Sequence, residues 1–396
     1  MSDVISIKEL LEGIEVEWKP LKILVSTVTA PLKVKKSAYQ TIGEIPIIDQ
    51  GKQYIAGYVD EIETYVKSDN YIIFGDHSEH IKYVDFAFVQ GADGLKILKP
   101  NKDVAKYIYY AFQNHYQKEL SYKRHWTSAK ETLIPIPYPT DLNKSLNIQS
   151  EIVRILDNFT ELTAELTAEL TAELRARKKQ YEFYRDKLLT FEDGEVEFKA
   201  LGEVGEFIRG NGLQKSDFKE TGTPAIHYGQ IYTYYGIFAY KTKTFVSPEL
   251  SSKLRKAKKN DLIIATTSEN IEDVCKPLVW LGDNEVCVSG ETYIFRHNQN
   301  AKFIAYYFQT PIFFNYKKLN RTGAKVIRVH GDKLARFQIP IPSLKEQEKI
   351  VSILDKFDTL TNSISEGLPK EIELRQKQYE YYRDLLLTFP KKDSEV

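Results

Sequence analysis

The spacing of apolar residues changes along this chain. Between residues 14 and 137 they fall in short runs ahead of turn formers, as in Ile45-Pro-Ile-Ile48 before Gln50-Gly51 and Tyr71-Ile-Ile-Phe74 before Gly75-Asp76. Such runs predict strands. Val104, Ile108, Ala111 and Phe112 then recur at helical steps, which predicts a helix within Asn101–Lys118. Ile134-Pro-Ile-Pro137 forces an extended path and excludes helix. From Gln149 to Phe191 there is no glycine or proline, and Ile152, Ile155, Leu156, Phe159, Leu162 and Leu166 form a stripe at three- and four-residue steps. The pattern predicts one helix of roughly 65 Å, longer than a domain needs. A second helical segment, Leu344–Phe389, is interrupted at Gly367-Leu-Pro369, where a kink or short break is expected, with Pro369 in the first turn of the restarted helix. The two long segments should pack as an antiparallel pair.

These elements occur twice. Arg177-Lys-Lys-Gln-Tyr-Glu-Phe-Tyr-Arg-Asp-Lys-Leu-Leu-Thr-Phe191 returns 198 residues later as Arg375-Gln-Lys-Gln-Tyr-Glu-Tyr-Tyr-Arg-Asp-Leu-Leu-Leu-Thr-Phe389, with twelve of fifteen positions identical. The same offset pairs Glu151-Ile-Val-Arg-Ile-Leu-Asp157 with Lys349-Ile-Val-Ser-Ile-Leu-Asp355. The globular parts repeat more weakly. Pro46-Ile-Ile-Asp-Gln-Gly51 resembles Pro224-Ala-Ile-His-Tyr-Gly229, Ala105–Gln113 resembles Ala301–Gln309, and Ile339-Pro-Ile-Pro342 repeats the closing segment. A duplication this long predicts two similar halves and a pseudo-twofold molecule, which suits a bipartite target such as duplex DNA. The expected fold is α/β (α+β): mixed domains at 1–148 and 192–343, a spacer helix at 149–191, a distal helix at 344–391 and a tail at 392–396.

Inside the first long helix, Thr163-Ala-Glu-Leu166, Thr167-Ala-Glu-Leu170 and Thr171-Ala-Glu-Leu174 are three tandem copies of one tetrapeptide. The repeat is either solvated filler or a spacer whose length matters. As a spacer, one unit shifts the downstream domain by ~6 Å and turns it by ~40°. A DNA base pair advances ~3.4 Å and turns by about 35°, so one unit answers to about one base pair if the domains tilt slightly. Leu166, Leu170 and Leu174 are expected to bury against Lys349–Glu373.

At 396 residues, two or more domains are expected. No apolar run approaches 18 residues and no charged-then-apolar leader follows Met1, so a cytoplasmic protein without membrane spans is expected. Cys275 and Cys287 suggest a reducing compartment, and the sequence leaves one disulfide open. Formal net charge is zero, but its distribution is uneven. Residues 201–340 hold 20 Lys/Arg against 13 Asp/Glu, residues 14–137 hold 16 against 15, and Glu151–Ala176 holds two against six. One half alone is clearly basic, so DNA binding would need partner subunits for much of the phosphate neutralisation.

Taken together, the twin Lys-Gln-Tyr-Glu-x-Tyr-Arg-Asp segments, the Ile-Pro-Ile-Pro strands leading into long helices, Gln149-Ser-Glu-Ile-Val-Arg-Ile-Leu-Asp-Asn-Phe159 and the tandem Thr-Ala-Glu-Leu spacer resemble the specificity subunits of type I restriction–modification systems. Gly75-Asp-His-Ser78, Gly91-Ala-Asp-Gly-Leu-Lys-Ile-Leu98 and Ile264-Ala-Thr-Thr-Ser-Glu-Asn270 look like recurrent recognition-domain motifs. The resemblance covers essentially the whole chain. It implies that each domain reads one half of a split DNA target. It also implies that the helices separate the halves and bind two modification subunits. Adenine methylation with S-adenosylmethionine, and ATP- and Mg-dependent restriction, would belong to the modification and restriction subunits.

The residues agree with a non-catalytic chain. There is no Asn/Asp-Pro-Pro-Tyr/Phe segment for holding a flipped base and no Gly-x-x-x-x-Gly-Lys-Ser/Thr phosphate loop. Phe207-Ile-Arg-Gly-Asn-Gly212 lacks a partner motif and reads as a turn beside DNA, with Arg209, Asn211 and Lys215 as candidate contacts. Asp76-His77-Ser78-Glu79-His80 has metal-ligand residue types, yet the equivalent Thr266-Thr267-Ser268-Glu269-Asn270 has no histidine. No metal is therefore expected. Both loops read as base contacts or as polar surface turns. Lys123, Arg124, Trp126 and Lys130 precede the first closing strand; Arg321, Lys325, Arg328 and His330 precede the second. Lys52, Tyr54, His227 and Tyr228 are further candidates, and Gln230 could pair with adenine. Tyr232, Tyr234 and Tyr235 could stack on bases or serve as strand residues, and Lys253–Lys259 is a solvated helix face or a phosphate grip. The repeated segments suggest Tyr181, Tyr184, Arg185, Tyr379, Tyr382 and Arg383 for helix pairing and partner docking.

Overall fold

Alternating apolar runs, proline-bounded ribbons and two long breaker-free stretches leave the chain one economical plan, and it is carried out twice. The computed structural model describes residues 7–60, 62–91, 94–121, 123–192, 194–363 and 366–389. The tail 392–396, and Ala92 and Asp93 of the Gly91–Leu98 motif, lie outside the described residues. Two compact units result: Met1–Thr167 with Leu374–Val396, and Ala168–Glu373.

In the first unit an antiparallel sheet runs Val25–Val28, Leu95–Pro100, Tyr71–Gly75, Ile81–Val84. A second sheet runs Gly57–Val59, Ile45–Ile48, Val89–Gln90, and its last pair is parallel. Val16–Pro20 pairs with Leu133–Pro137 as a two-stranded ribbon. Prolines at alternate positions are tolerated there because each ribbon strand keeps an unpaired edge. The second unit repeats the plan. Its main sheet runs Gly205–Arg209, Thr292–His297, Leu262–Ala265, Lys276–Trp280, with Phe238–Ala239 added at the edge. Its second sheet holds the parallel pair Thr223–Ile226 and Val286–Val288. Its ribbon is Glu197–Ala200 with Gln338–Ile341.

The predicted helix within Asn101–Lys118 spans Ala105–His115 and buries Tyr107, Ile108, Tyr110, Ala111 and Phe112. It docks onto the long helix of its own unit through one carboxylate. Asp157 accepts hydrogen bonds from Lys106 Nζ and Tyr110 OH, each 2.7 Å. Asp355 accepts the same pair from Lys302 Nζ and Tyr306 OH, each 2.7 Å. Gln149 and Gln347 are likewise equivalent: each Oε1 accepts the backbone N–H of Val104 or Asn300, at 2.8 and 2.9 Å.

The central helix runs Leu142–Leu188, 47 residues. It starts before the expected Gln149 because the Asp141 carboxylate accepts the N–H of Lys144, an N-terminal capping contact. The distal segment is two helices, Leu344–Asn362 and Gly367–Thr388, so the break falls where expected. Gly367 has φ +77°, and a Cβ there would lie 2.4 Å from the Thr359 carbonyl oxygen. In the first unit, Phe159 stacks on Tyr382 and Thr160 Oγ1 hydrogen-bonds Tyr379 OH at 3.1 Å. The central chain advances as the distal one recedes, so these stretches are antiparallel.

One packing expectation fails. Leu166, Leu170 and Leu174 are only half-buried, Leu162 is exposed, and none joins a core cluster. A four-residue repeat drifts ~40° per step around a 3.6-residue helix, so the three leucines spread over ~80° of the helix surface instead of lining one narrow seam. The central helix makes its buried contacts nearer its ends, at Ile152, Leu156 and Tyr181. Lys253–Lys259 is also not a helix face. Leu254 is buried, Lys256–Ala257 is a strand, and Lys259 pairs with Asp283 at 2.7 Å.

Candidate nucleic-acid interface

Parallel neighbours send their following loops out at the same end of a sheet. In the first unit, Ile45–Ile48 and Val89–Gln90 do this, and two further loops close on theirs. His77 N–H donates to Gln50 Oε1 at 3.1 Å, and Ser78 Oγ donates to the Gln50 carbonyl. Asp76 N–H donates to the Gly94 carbonyl at 2.6 Å. Asp76 also fastens the segment before the closing strand: its carbonyl accepts His125 N–H and its carboxylate accepts Trp126 N–H, both at 2.8 Å. Buried Lys82 holds the Gln50 loop by donating to the carbonyls of Asp49 and Gln53, at 2.8 and 2.6 Å. The sequence reading missed Gln50 and Lys82, because neither stands out until the loops are brought together.

This knot sorts the first-unit candidates. Asp76 is 5% exposed and bound within the domain, so it is a structural tie and not a base contact. Glu79 is buried as well. Burial works against its charge, but the N–H groups of Glu119 and Leu120 and the Tyr116 hydroxyl outweigh that and hold its carboxyl below the ordinary range. His77 and Ser78 are half-buried, with His77 Nδ1 3.1 Å from the Lys123 carbonyl. Trp126 packs on Phe74 with centroids 5.9 Å apart, and Lys130 is half-buried. Lys52, Tyr54, Lys123 and Arg124 remain exposed around the loops. Tyr54 OH donates to the Tyr83 carbonyl at 2.6 Å, and Lys123 pairs with Glu119.

The second unit brings the equivalent loops together. Ser289 N–H donates to the Ile226 carbonyl at 3.2 Å, Tyr228 N–H to Ser289 Oγ at 2.9 Å, and Thr266 N–H to the Glu291 carbonyl at 3.0 Å. Thr267–Ser268 pairs with Ile327–Arg328 as a short ladder. Several candidates are consumed in this packing. Thr266, Thr267 and Ser268 are buried, so they cannot reach bases from where they lie. Gln230 bonds His227 N–H and Thr244 Oγ1, at 3.0 and 3.1 Å, leaving its amide committed. His227 is buried, and its Nδ1 accepts Gly229 N–H at 3.2 Å; burial and Lys215 push its pKa down. Asn211 locks the neighbouring loop through the Lys253 carbonyl and Arg255 N–H, at 2.9 and 2.7 Å. Tyr232 donates to the carbonyls of Ala265 and Thr267, and Tyr235 is buried, which leaves Tyr234 as the exposed ring. Asn270 is exposed but tied to Asp273.

What stands outward is basic. Arg321, Lys325, Arg328 and His330 are exposed on one hairpin, closed by the bridge of Thr322 to Arg328 and turned at Gly323, φ +86°. Arg209 and Lys215 are also exposed, with Arg209 Nε 3.4 Å from the Gly290 carbonyl. Half-buried Tyr228 completes the set.

The repeated helix segments supply the expected helix pairing through Tyr184, Tyr379 and Tyr382, whereas the two arginines bond locally. Arg185 pairs with adjacent Asp186 and its side chain is only 12% exposed. Arg383 Nε donates to Asn114 Oδ1 at 2.9 Å, within its own unit. Buried Tyr181 donates to Gln309 at 2.8 Å, and half-buried Tyr379 bonds Thr160. Tyr184 and Tyr382 stack on Phe357 and Phe159. The most exposed rings are Phe183 and Tyr381, 62% and 63% exposed, at the variable position of Tyr-Glu-x-Tyr.

Among the described residues no group of histidine, cysteine and carboxylate side chains could hold a metal, and no helix is long and apolar enough to cross a membrane. Cys275 and Cys287 are free and buried.

The chain matches the family model described as the type I restriction modification DNA specificity domain twice, over residues 16–176 and 193–374. It is 39% identical to the type I restriction enzyme EcoR124I/EcoR124II specificity subunit of Escherichia coli, across 100% of this chain and 99% of that one. It is 35% identical to S.HindORF215P of Haemophilus influenzae, across 97% and 98%. In fold it resembles a chain from a structure of type I R-M complex assembly and conformational transition, with a TM-score of 0.60 at 15% identity over 95% of this chain and 98% of that one. The chain belongs to the type I restriction–modification DNA specificity family, and its role is to give such a system its DNA sequence specificity.

Proposed function

We propose that this chain reads a split, asymmetric duplex target, one half-site with each loop cluster, while its long helices set the gap and hold two modification subunits. One observation carries the reading. The same four loops meet at the same end of the same strands in both units, yet offer different side chains: Lys52, Tyr54, Lys123 and Arg124 in one, Arg209, Tyr228, Arg321, Lys325 and Arg328 in the other. A shared scaffold with divergent tips is what two separate readouts require. Two near-identical helix segments, each with its most exposed aromatic ring at the same position, suit two copies of one partner.

The chain itself is non-catalytic in this account. S-adenosylmethionine sits on the modification subunits, and ATP and Mg on the restriction subunits that join them. The complex works on DNA in the cytoplasm. With zero formal net charge, the chain leaves part of the phosphate neutralisation to those partners. The test is a binding titration of the chain, assembled with its modification subunits, against its target and scrambled duplexes across a salt series. The target should bind on the order of a thousandfold tighter, with affinity falling as salt rises. Equal affinity for both duplexes would overturn the reading.

A further inference from the structure

The exposed cations of the second unit differ in one respect. Arg321 and Lys325 carry no ion pair among the described residues, whereas Arg328 faces a carboxylate. Arg328 Nε lies 3.5 Å from Glu291 Oε2 and 3.4 Å from Thr267 Oγ1. Thr267 in turn donates its hydroxyl to Glu291. The Arg328 backbone is fixed on both sides: it exchanges N–H and carbonyl with Thr322, at 2.9 and 2.8 Å, and pairs with Thr267 in the ladder. Glu291 is fixed too, since the Thr266 amide donates to its carbonyl. The Arg328 side chain is nonetheless 51% exposed, and its terminal amino groups make no hydrogen bond among the described residues.

We propose that Arg328 reads a guanine in the half-site of the second domain, and that Glu291 is the positioning residue that aims it. This rests on the split-target reading above. Charge decides between base and backbone. A carboxylate beside a guanidinium cancels the field that would draw a phosphate and repels the phosphate itself, so Arg328 is a poor backbone grip. The same carboxylate, together with the Thr267 hydroxyl that accepts from Nε, holds one edge of the guanidinium and fixes the plane of the remaining donors. A fixed donor fork is what guanine O6 and N7 require, and it is the commonest specific contact in the major groove. Arg321 and Lys325, exposed and without a carboxylate partner, are the phosphate contacts flanking it. Thr267 joins this arrangement by holding Glu291 in place and does not touch DNA.

The test is selection from a randomised duplex library by the chain assembled with its modification subunits. The natural sequence is compared with Arg328→Lys, Glu291→Gln and Lys325→Ala, and binding to the selected target is followed across a salt series. Arg328→Lys keeps the charge but loses the fork. It should lower the preference for guanine at one pair of one half-site by on the order of tenfold, leaving the other pairs and the salt slope unchanged. Glu291→Gln should weaken the preference at that same pair. Lys325→Ala should leave every base preference intact and reduce the salt slope by about one. Retention of the remaining pairs shows that each variant is folded. Arg328→Lys with all base preferences intact would overturn the assignment of Arg328. Glu291→Gln with that pair unchanged would overturn its positioning role. A natural complex that selected no split target would bring down the parent reading as well, an outcome distinct from a target kept but unaltered.

Discussion

Phe159 stacks on Tyr382, with ring centroids 5.2 Å apart and planes 17° from parallel. The stack returns with its partners exchanged: Tyr184 lies on Phe357 at 5.6 Å and 23°. Phe159 and Phe357 are separated by the 198-residue offset of the sequence repeat, and so are Tyr184 and Tyr382. Central helix gives the phenylalanine in one unit and the tyrosine in the other, which is how duplicated antiparallel helices pair. Phe159→Ala should lower stability by about 2 kcal/mol, less than for a fully buried ring, with Phe159→Leu recovering part of it. Urea denaturation checks this; an unchanged midpoint would mean the stack contributes nothing.

Partner docking should depend on the outward rings. Phe183→Ala and Tyr381→Ala should each weaken the binding of one modification subunit, on the order of tenfold for an aromatic anchor, and the double variant should weaken both. Native mass spectrometry should show the stoichiometry falling from two subunits towards one in each single variant. Full occupancy in the double variant would move the docking surface elsewhere.

The repeat sets a third expectation. Deleting Thr167–Leu170 shortens the central helix by ~6 Å and turns one domain by ~40° against the other. Neither loop cluster is touched. Both half-sites should therefore be kept, with about one fewer base pair between them. Half-burial of Leu166, Leu170 and Leu174 favours tolerance of the deletion, since no core is opened. Methylation at the original spacing, undiminished, would reduce the repeat to filler.

Acid sensitivity should trace partly to His297. Burial pushes its imidazole down to about 4, against an ordinary 6.5, while its Nδ1 accepts Gln299 N–H at 3.1 Å. Its folded pKa is the lower one, so the stability it contributes is full above pH 6.5 and is lost as pH falls from there towards 4. His297→Asn keeps an acceptor for Gln299 and does not titrate. Between pH 6.5 and 4 it should lose less stability than the natural chain, by on the order of 1–3 kcal/mol. Parallel pH profiles would contradict this.

Much of the architecture was legible because it rests on local rules. Gly367, the Ile-Pro-Ile-Pro strands and the face of Val104, Ile108 and Phe112 each follow from backbone geometry or periodicity. The start of the central helix was missed because Asp141, its cap, sits in the stretch assigned to the first domain. The interface was legible as a set of loops but not as side chains. Asp76, Gln230, Asn211 and Thr267 have the chemistry of base readers, and the sequence does not reveal that folded neighbours consume it. Glu291 was overlooked for the opposite reason, since an acid attracts no notice in a search for DNA contacts until an arginine lies beside it.

The central claim is that two separate loop clusters read two separate half-sites. Its most direct test is to map methylated adenines in a genome carrying this system, before and after residues 1–141 are exchanged for those of a relative. The account predicts a split motif with a fixed gap, in which the exchange rewrites one half and leaves the other half and the gap unchanged. A motif whose two halves change together, or methylation without a split motif, would contradict it.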